Sequence, residues 1–119
     1  MMGYSRSTVM RARSALIGVA TRREIISRYE LLHRLRLKGD FHNDHDRRMM
    51  SSLLGAVADE EYAHKRPLLT AIIAHTGPST AGPDFWGLLG FWDLLRYPPV
   101  MDFIIQERKK VYKFWGWKT

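Results

Sequence analysis

The stretch from Ile25 to Trp86 constrains this chain most, because its start and stop signals follow a definite order. Ser27-Arg28-Tyr29-Glu30 is an S-x-x-E capping box, in which each polar side chain satisfies an orphan amide at a helix start. Ile26 and Leu31 flank the box as a hydrophobic staple, Leu31, Leu32 and Leu35 make a core face, and Lys38-Gly39 reads as a helix stop. After a polar loop from Asp40 to Asn43 or Asp44, a third helix is expected to run to about His64. Its buried stripe comprises Met49 or Met50, Leu53, Val57 and Tyr62, with Leu54 and Ala56 beside them. Pro67 blocks continuation. The short apolar run Leu68-Leu69-Thr70-Ala71-Ile72-Ile73-Ala74 reads as a buried strand. Breaker-rich Thr76 to Pro83 reads as a turn, and Phe85-Trp86 can pair back.

This order predicts a mainly α single domain with a small β hairpin, arranged like a winged helix-turn-helix. Its expected parts are an N-terminal helix over 7–22, a helix-turn-helix over 27–64, a strand and wing over 68–86 and C-terminal helices over 88–116. The first helix carries Val9, Ala12, Leu16 and Val19 at helical spacing, and the last carries Phe103, Ile104, Val111, Tyr112 and Trp115. Pro98-Pro99 punctuates the segment between Leu88–Tyr97 and that last helix. A chain of 119 residues suits one domain with its own core.

The charge distribution sets the functional expectation. The net charge is +7, and residues 1–38 alone hold nine Arg/Lys against two Glu. A field of that sign attracts polyanions. In the winged-helix arrangement the first turn of the third helix enters the DNA major groove, which places Arg47, Arg48 and Asn43 at the interface. Arginine suits both phosphate contact and bidentate reading of guanine. Arg28, Arg22 and Arg23 complete the candidate nucleic-acid-binding set. Two features oppose this reading. Asp40, Asp44 and Asp46 crowd the same turn, where they complement the helix dipole but repel phosphate. Between Thr76 and Leu95 the only ionisable groups are Asp84 and Asp93, so the wing brings no cation.

The expected function is therefore nucleic-acid binding, duplex DNA favoured, without a cofactor and in the cytoplasm. The alternative is a protein-interaction module or small phage or bacterial effector subunit. A third reading, a small hydrolase, uses Glu60 and His64 at i, i+4 with His75 nearby; against it, Glu61 and Lys65 read as a supporting pair on an exposed helix end. The sequence has no nucleophile elbow, phosphate loop or H-E-x-x-H motif, so no enzyme activity is expected. His42, Asp44, His45 and Asp46 are metal-ligand residue types, but no second cluster accompanies them and no metal is expected. Zero cysteines excludes a disulfide scaffold and is compatible with a reducing compartment. No apolar run approaches a membrane span, so no membrane partner is expected. Met1 to Arg23 has the arginine- and serine-rich, acid-free composition of a transit peptide, but its apolar stripe is explained by a first core helix. Trp115-Gly116-Trp117 beside Lys110, Lys113 and Lys118 reads as a helix end folded back on the body.

Asp46-Arg47-Arg48, Leu53-Leu54-Gly55-Ala56-Val57 and Arg66-Pro67-Leu68-Leu69-Thr70-Ala71-Ile72-Ile73 resemble a group of small, largely uncharacterised bacterial proteins. These share an R-P-L-L-[ST]-A strand, a G-x-x-F/W return (here Gly82 to Phe85) and a V-Y-x-[FY]-W ending (here Val111 to Trp115). The resemblance spans about residues 15–116, implies one domain of bacterial or phage-like origin, and implies no activity. More distantly, Ile26-Ser27-Arg28-Tyr29-Glu30-Leu31-Leu32 is similar to the helix opening in the DNA-binding half of alkylguanine alkyltransferases and alkyltransferase-like proteins. Arg47 or Arg48 then falls where their helix arginine lies, and Ala74-His75-Thr76 near their reactive segment. The reactive cysteine is missing here, which excludes alkyl transfer, and the analogy extends to fold alone.

Overall fold

The first helix begins where the sequence supplies a cap. In the computed structural model, which describes residues 4–37, 44–73 and 100–116, Ser5 accepts a hydrogen bond from the Thr8 amide at 3.3 Å. Helix α1 then runs Arg6–Thr21 and buries Val9, Ala12, Leu16, Val19 and Ala20 on one face. Helix α2, Arg28–Arg34, is capped by Ser27, whose hydroxyl accepts from the Glu30 amide at 3.1 Å. The box is half closed, because Glu30 instead takes Arg34 across one turn at 3.0 Å. Helix α3, Asp44–Ala63, buries Met50, Leu53, Leu54, Val57, Ala58 and Glu61. Helix α4, Val100–Trp115, contributes Phe103, Ile104, Glu107 and Val111.

Helices α1, α2 and α3 share one ending. The Glu24 amide reaches Val19 O and the Arg23 amide Ala20 O; Leu37 and Arg36 repeat the pattern on Leu32 and His33, and Arg66 and Lys65 on Glu61 and Tyr62. These are Schellman motifs, whose left-handed position is ordinarily glycine. Here it is occupied by Arg23, Arg36 and Lys65, with φ of 55°, 55° and 57°. A side chain there costs about 1–2 kcal/mol of backbone strain, only partly offset by a cation's roughly 0.3–1 kcal/mol at the helix C-terminus. Arg36→Gly, at an exposed position, is therefore expected to raise stability by about 0.5–1 kcal/mol in urea unfolding. A loss of stability would remove the strain argument. The same motif ends α2 at Arg34 rather than Lys38; Lys38 and Gly39 lie outside the described residues.

The expected strand is where the architecture departs from a winged helix. Leu69–Ile72 forms a single 3₁₀ turn, η1, packed among α1, α3 and α4, and its residues are fully buried. Among the described residues its extended neighbours make one parallel bridge, Ile26 with Ile73, closed by the Ile26 amide on Ile72 O at 3.1 Å. No β hairpin or wing is present among the described residues. The physical reason lies in the hydrogen-bond partners. The turn satisfies itself through Ala71 N to Leu68 O and Ile73 N to Thr70 O, each 3.1 Å. Helix α4 then takes the place of a partner strand: Glu107 Oε2 accepts from the Leu68 amide at 2.9 Å and Arg108 Nε donates to Ala71 O at 2.8 Å. With helices on three sides, an apolar run buries without a sheet. The expected wing at 76–83, the return at Phe85-Trp86 and the short helix at 88–97 lie outside the described residues. What is seen is a mainly helical fold built around a buried 3₁₀ turn.

Candidate nucleic-acid interface

Most cations of the N-terminal half are already engaged inside the fold. Arg6 pairs with Glu60 at 3.0 Å, Arg13 pairs with the fully buried Glu61, and Arg22 pairs with Glu24 at 2.6 Å. Arg11 donates to Leu35 O at 2.7 Å, joining α1 to the end of α2. The large positive balance of residues 1–38 is thus partly neutralised by acids of α3, a cancellation between segments far apart in sequence.

Of the six expected contact residues, Arg22, Arg23, Arg28 and Arg48 have described side chains, and these differ in their surroundings. Arg22 is tied to Glu24. Arg28, first in α2, is half-buried and has a partner of its own; burial lowers its pKa, an effect only partly opposed by Tyr29. Arg48 is exposed on α3. Arg47 belongs to α3, but its side chain, like all of Asn43, lies outside the described residues.

Arg23 is different. Its left-handed backbone directs the chain away from α1, and its guanidinium lies against the end of α4 at Gly116. A Cβ on Gly116 would stand 2.8 Å from Arg23 Nε and 2.4 Å from Tyr112 O, so this approach requires glycine. Tyr112 donates its hydroxyl to Glu24 O at 2.6 Å, fastening α4 to the turn after α1, and burial raises its pKa. Between them opens a cleft of about 380 Å³ lined by Arg23, Lys109, Tyr112 and Lys113. Among the described residues these three cations have no carboxylate partner.

No protein-family model, curated protein or solved structure matches the chain.

Sequence reasoning missed Lys109 and reached Lys113 only as a neighbour of the aromatic ending. The available signal was their i, i+4 spacing, which puts both on one face of the last helix. Of that ending, Trp115 packs against the core. Trp115 is partly buried, stands edge-on to Phe114 with centroids 4.8 Å apart, and carries Arg13 over its ring at 5.7 Å; Trp117 lies outside the described residues.

Glu60, on α3, and His64, just past its end, lie side by side. His64 Nδ1 lies 2.9 Å from the Glu60 carbonyl and 3.6 Å from its carboxylate, and the imidazole is largely exposed. The hydrogen bond from Arg6 holds the Glu60 carboxyl below the usual carboxylate range, against a smaller opposing effect of desolvation. Glu60 is thereby kept an ionised acceptor. The expected Glu61–Lys65 pair does not form: Glu61 turns inward to Arg13 and Arg66, while Lys65 occupies the left-handed turn. Among the described residues no group of three or more His, Cys, Asp or Glu side chains is placed to hold a metal, and no helix is long and apolar enough to cross a membrane. The His42–Asp46 segment and His75 fall outside the residues whose side chains are described.

Proposed function

We propose that the protein binds nucleic acid, duplex DNA in the first instance, through backbone phosphates seated in the Arg23–Lys109–Lys113 cleft. The observation that carries the reading is the convergence on the partly buried Tyr112 of Arg23, Lys109 and Lys113, which have no carboxylate partner among the described residues. Phosphate neutralisation supplies most sequence-independent affinity, and a cation already paired with a carboxylate contributes little to it. A cytoplasmic location goes with this reading.

The salt dependence tests it. Three phosphate contacts correspond to a log–log slope of about −2.7, a fall of about 40-fold in affinity between about 50 and 200 mM salt. The Arg23→Gly, Lys109→Gln, Lys113→Gln variant is expected to bind weakly with a nearly flat dependence. Glycine at position 23 suits the left-handed turn, so lost binding cannot be assigned to a lost fold. Salt-independent binding by the unmodified chain, or an unchanged slope in the variant, would sink the idea. A second reading, a protein-interaction module, rests on exposed Ile25 and Tyr29 at the start of α2. Capture of a partner that survives nuclease treatment and is lost in an Ile25→Ser, Tyr29→Ser variant would favour it.

A further inference from the structure

A second, larger cavity lies on another part of the surface, between the turn that ends α3 and helix α4. It measures about 580 Å³, within the range of about 300–1,000 Å³ found for small-molecule sites. Tyr62, Pro67, Leu68 and Phe103 give it apolar and aromatic walls. Four charged groups also line it: Lys65, Arg66, Glu107 and Lys110.

Three of these are committed within the protein. Arg66 places its guanidinium on Glu61 through two hydrogen bonds of 2.7 and 3.2 Å. Glu107 takes the Leu68 amide with Oε2, and its Oε1 faces Lys110 Nζ at 3.4 Å. Lys65 is the exception. It is exposed and has no carboxylate partner among the described residues. It also occupies a left-handed backbone position where glycine would relieve strain, so its side chain is held at the cavity against a conformational cost.

We propose that this cavity binds a small aromatic monocarboxylate, with the ring system against Tyr62, Pro67 and Phe103 and the carboxylate on the Lys65 ammonium. A single negative charge matches Lys65, the one cation of this lining with no carboxylate partner among the described residues. A phosphate dianion fits poorly, because the neighbouring arginine fork and the Leu68 amide are already taken and Glu107 adds a like charge. The site is independent of the Arg23 cleft, with which it shares no lining residue.

Calorimetric titration of the full chain with 1-naphthoate and with neutral 1-naphthamide tests the proposal. Naphthoate is expected to bind saturably and the amide about tenfold more weakly, the size of one lost charge-assisted contact. Lys65→Gly is expected to weaken naphthoate about tenfold while its melting temperature does not fall, and Arg23→Gly to leave naphthoate affinity unchanged. The proposal is overturned by absence of saturable naphthoate binding at millimolar ligand. Equal affinity for acid and amide, or loss of binding in Arg23→Gly but not in Lys65→Gly, would overturn it too.

Discussion

Glu61→Ala is expected to cost about 3–5 kcal/mol, the range for removing one partner of a buried ion pair. The side chain is fully buried, and both oxygens are engaged by guanidiniums: Oε1 by Arg13 and Arg66, and Oε2 by Arg66 at 2.7 Å. Arg13 and Arg66 are themselves only 17% and 21% exposed, so alanine would strand two cations that water reaches poorly. Arg66 has the complementary response: its pKa is raised, first through its hydrogen bond to Glu61. The loss extends to the fold because Glu61 ties α1 to the turn that ends α3. Thermal unfolding should show a fall of roughly 10–20 °C for a domain of this size. Arg6→Ala is the control. Its partner Glu60 is also on α3, but Arg6 is 70% exposed, and an exposed pair is worth about 1 kcal/mol or less. Equal losses in Glu61→Ala and Arg6→Ala would refute a special role for the buried carboxylate.

Glu107→Ala is expected to cost about 2–3 kcal/mol, through a buried donor left without an acceptor. The donor is the amide of Leu68, a residue 3% exposed at the entrance to the 3₁₀ turn. Glu107→Gln retains an acceptor oxygen at the same place and is expected to cost under about 1 kcal/mol. Hydrogen exchange gives a local readout: the Leu68 amide should lose protection in the alanine variant and keep most of it in the glutamine variant. Equal destabilisation by the two substitutions, or unchanged Leu68 protection in Glu107→Ala, would show that the carboxylate does not anchor the turn.

The α-helical elements were legible because their signals are local. Val9, Ala12, Leu16 and Val19 repeat at the helical period and bury together; Ser27 precedes its helix; the third helix runs from the acidic cluster to the residues before Pro67. Phe103, Ile104 and Val111 likewise lie in the core as their spacing implies. The segment after Pro67 was not legible. Apolar composition indicates burial but does not distinguish a strand from a 3₁₀ turn, and the deciding groups, Glu107 and Arg108, lie on another helix. The candidate site was legible in part for a similar reason. Arg23 carried the expected positive charge, but nothing local distinguished it from Arg22, which is neutralised by Glu24, or from Arg13, which is consumed by Glu61.

The amino-acid sequence by itself determined which segments become the principal helices and which of their faces turn inward, because capping, periodicity and proline act over a few neighbouring residues. Tertiary structure alone decided that Leu69–Ile72 closes as a turn, that Glu61 is buried between two arginines, and that Arg23 meets Lys109 and Lys113 in one cleft. Each of those outcomes depends on a hydrogen-bond or charge partner far away along the chain, and folding is what brings the two together.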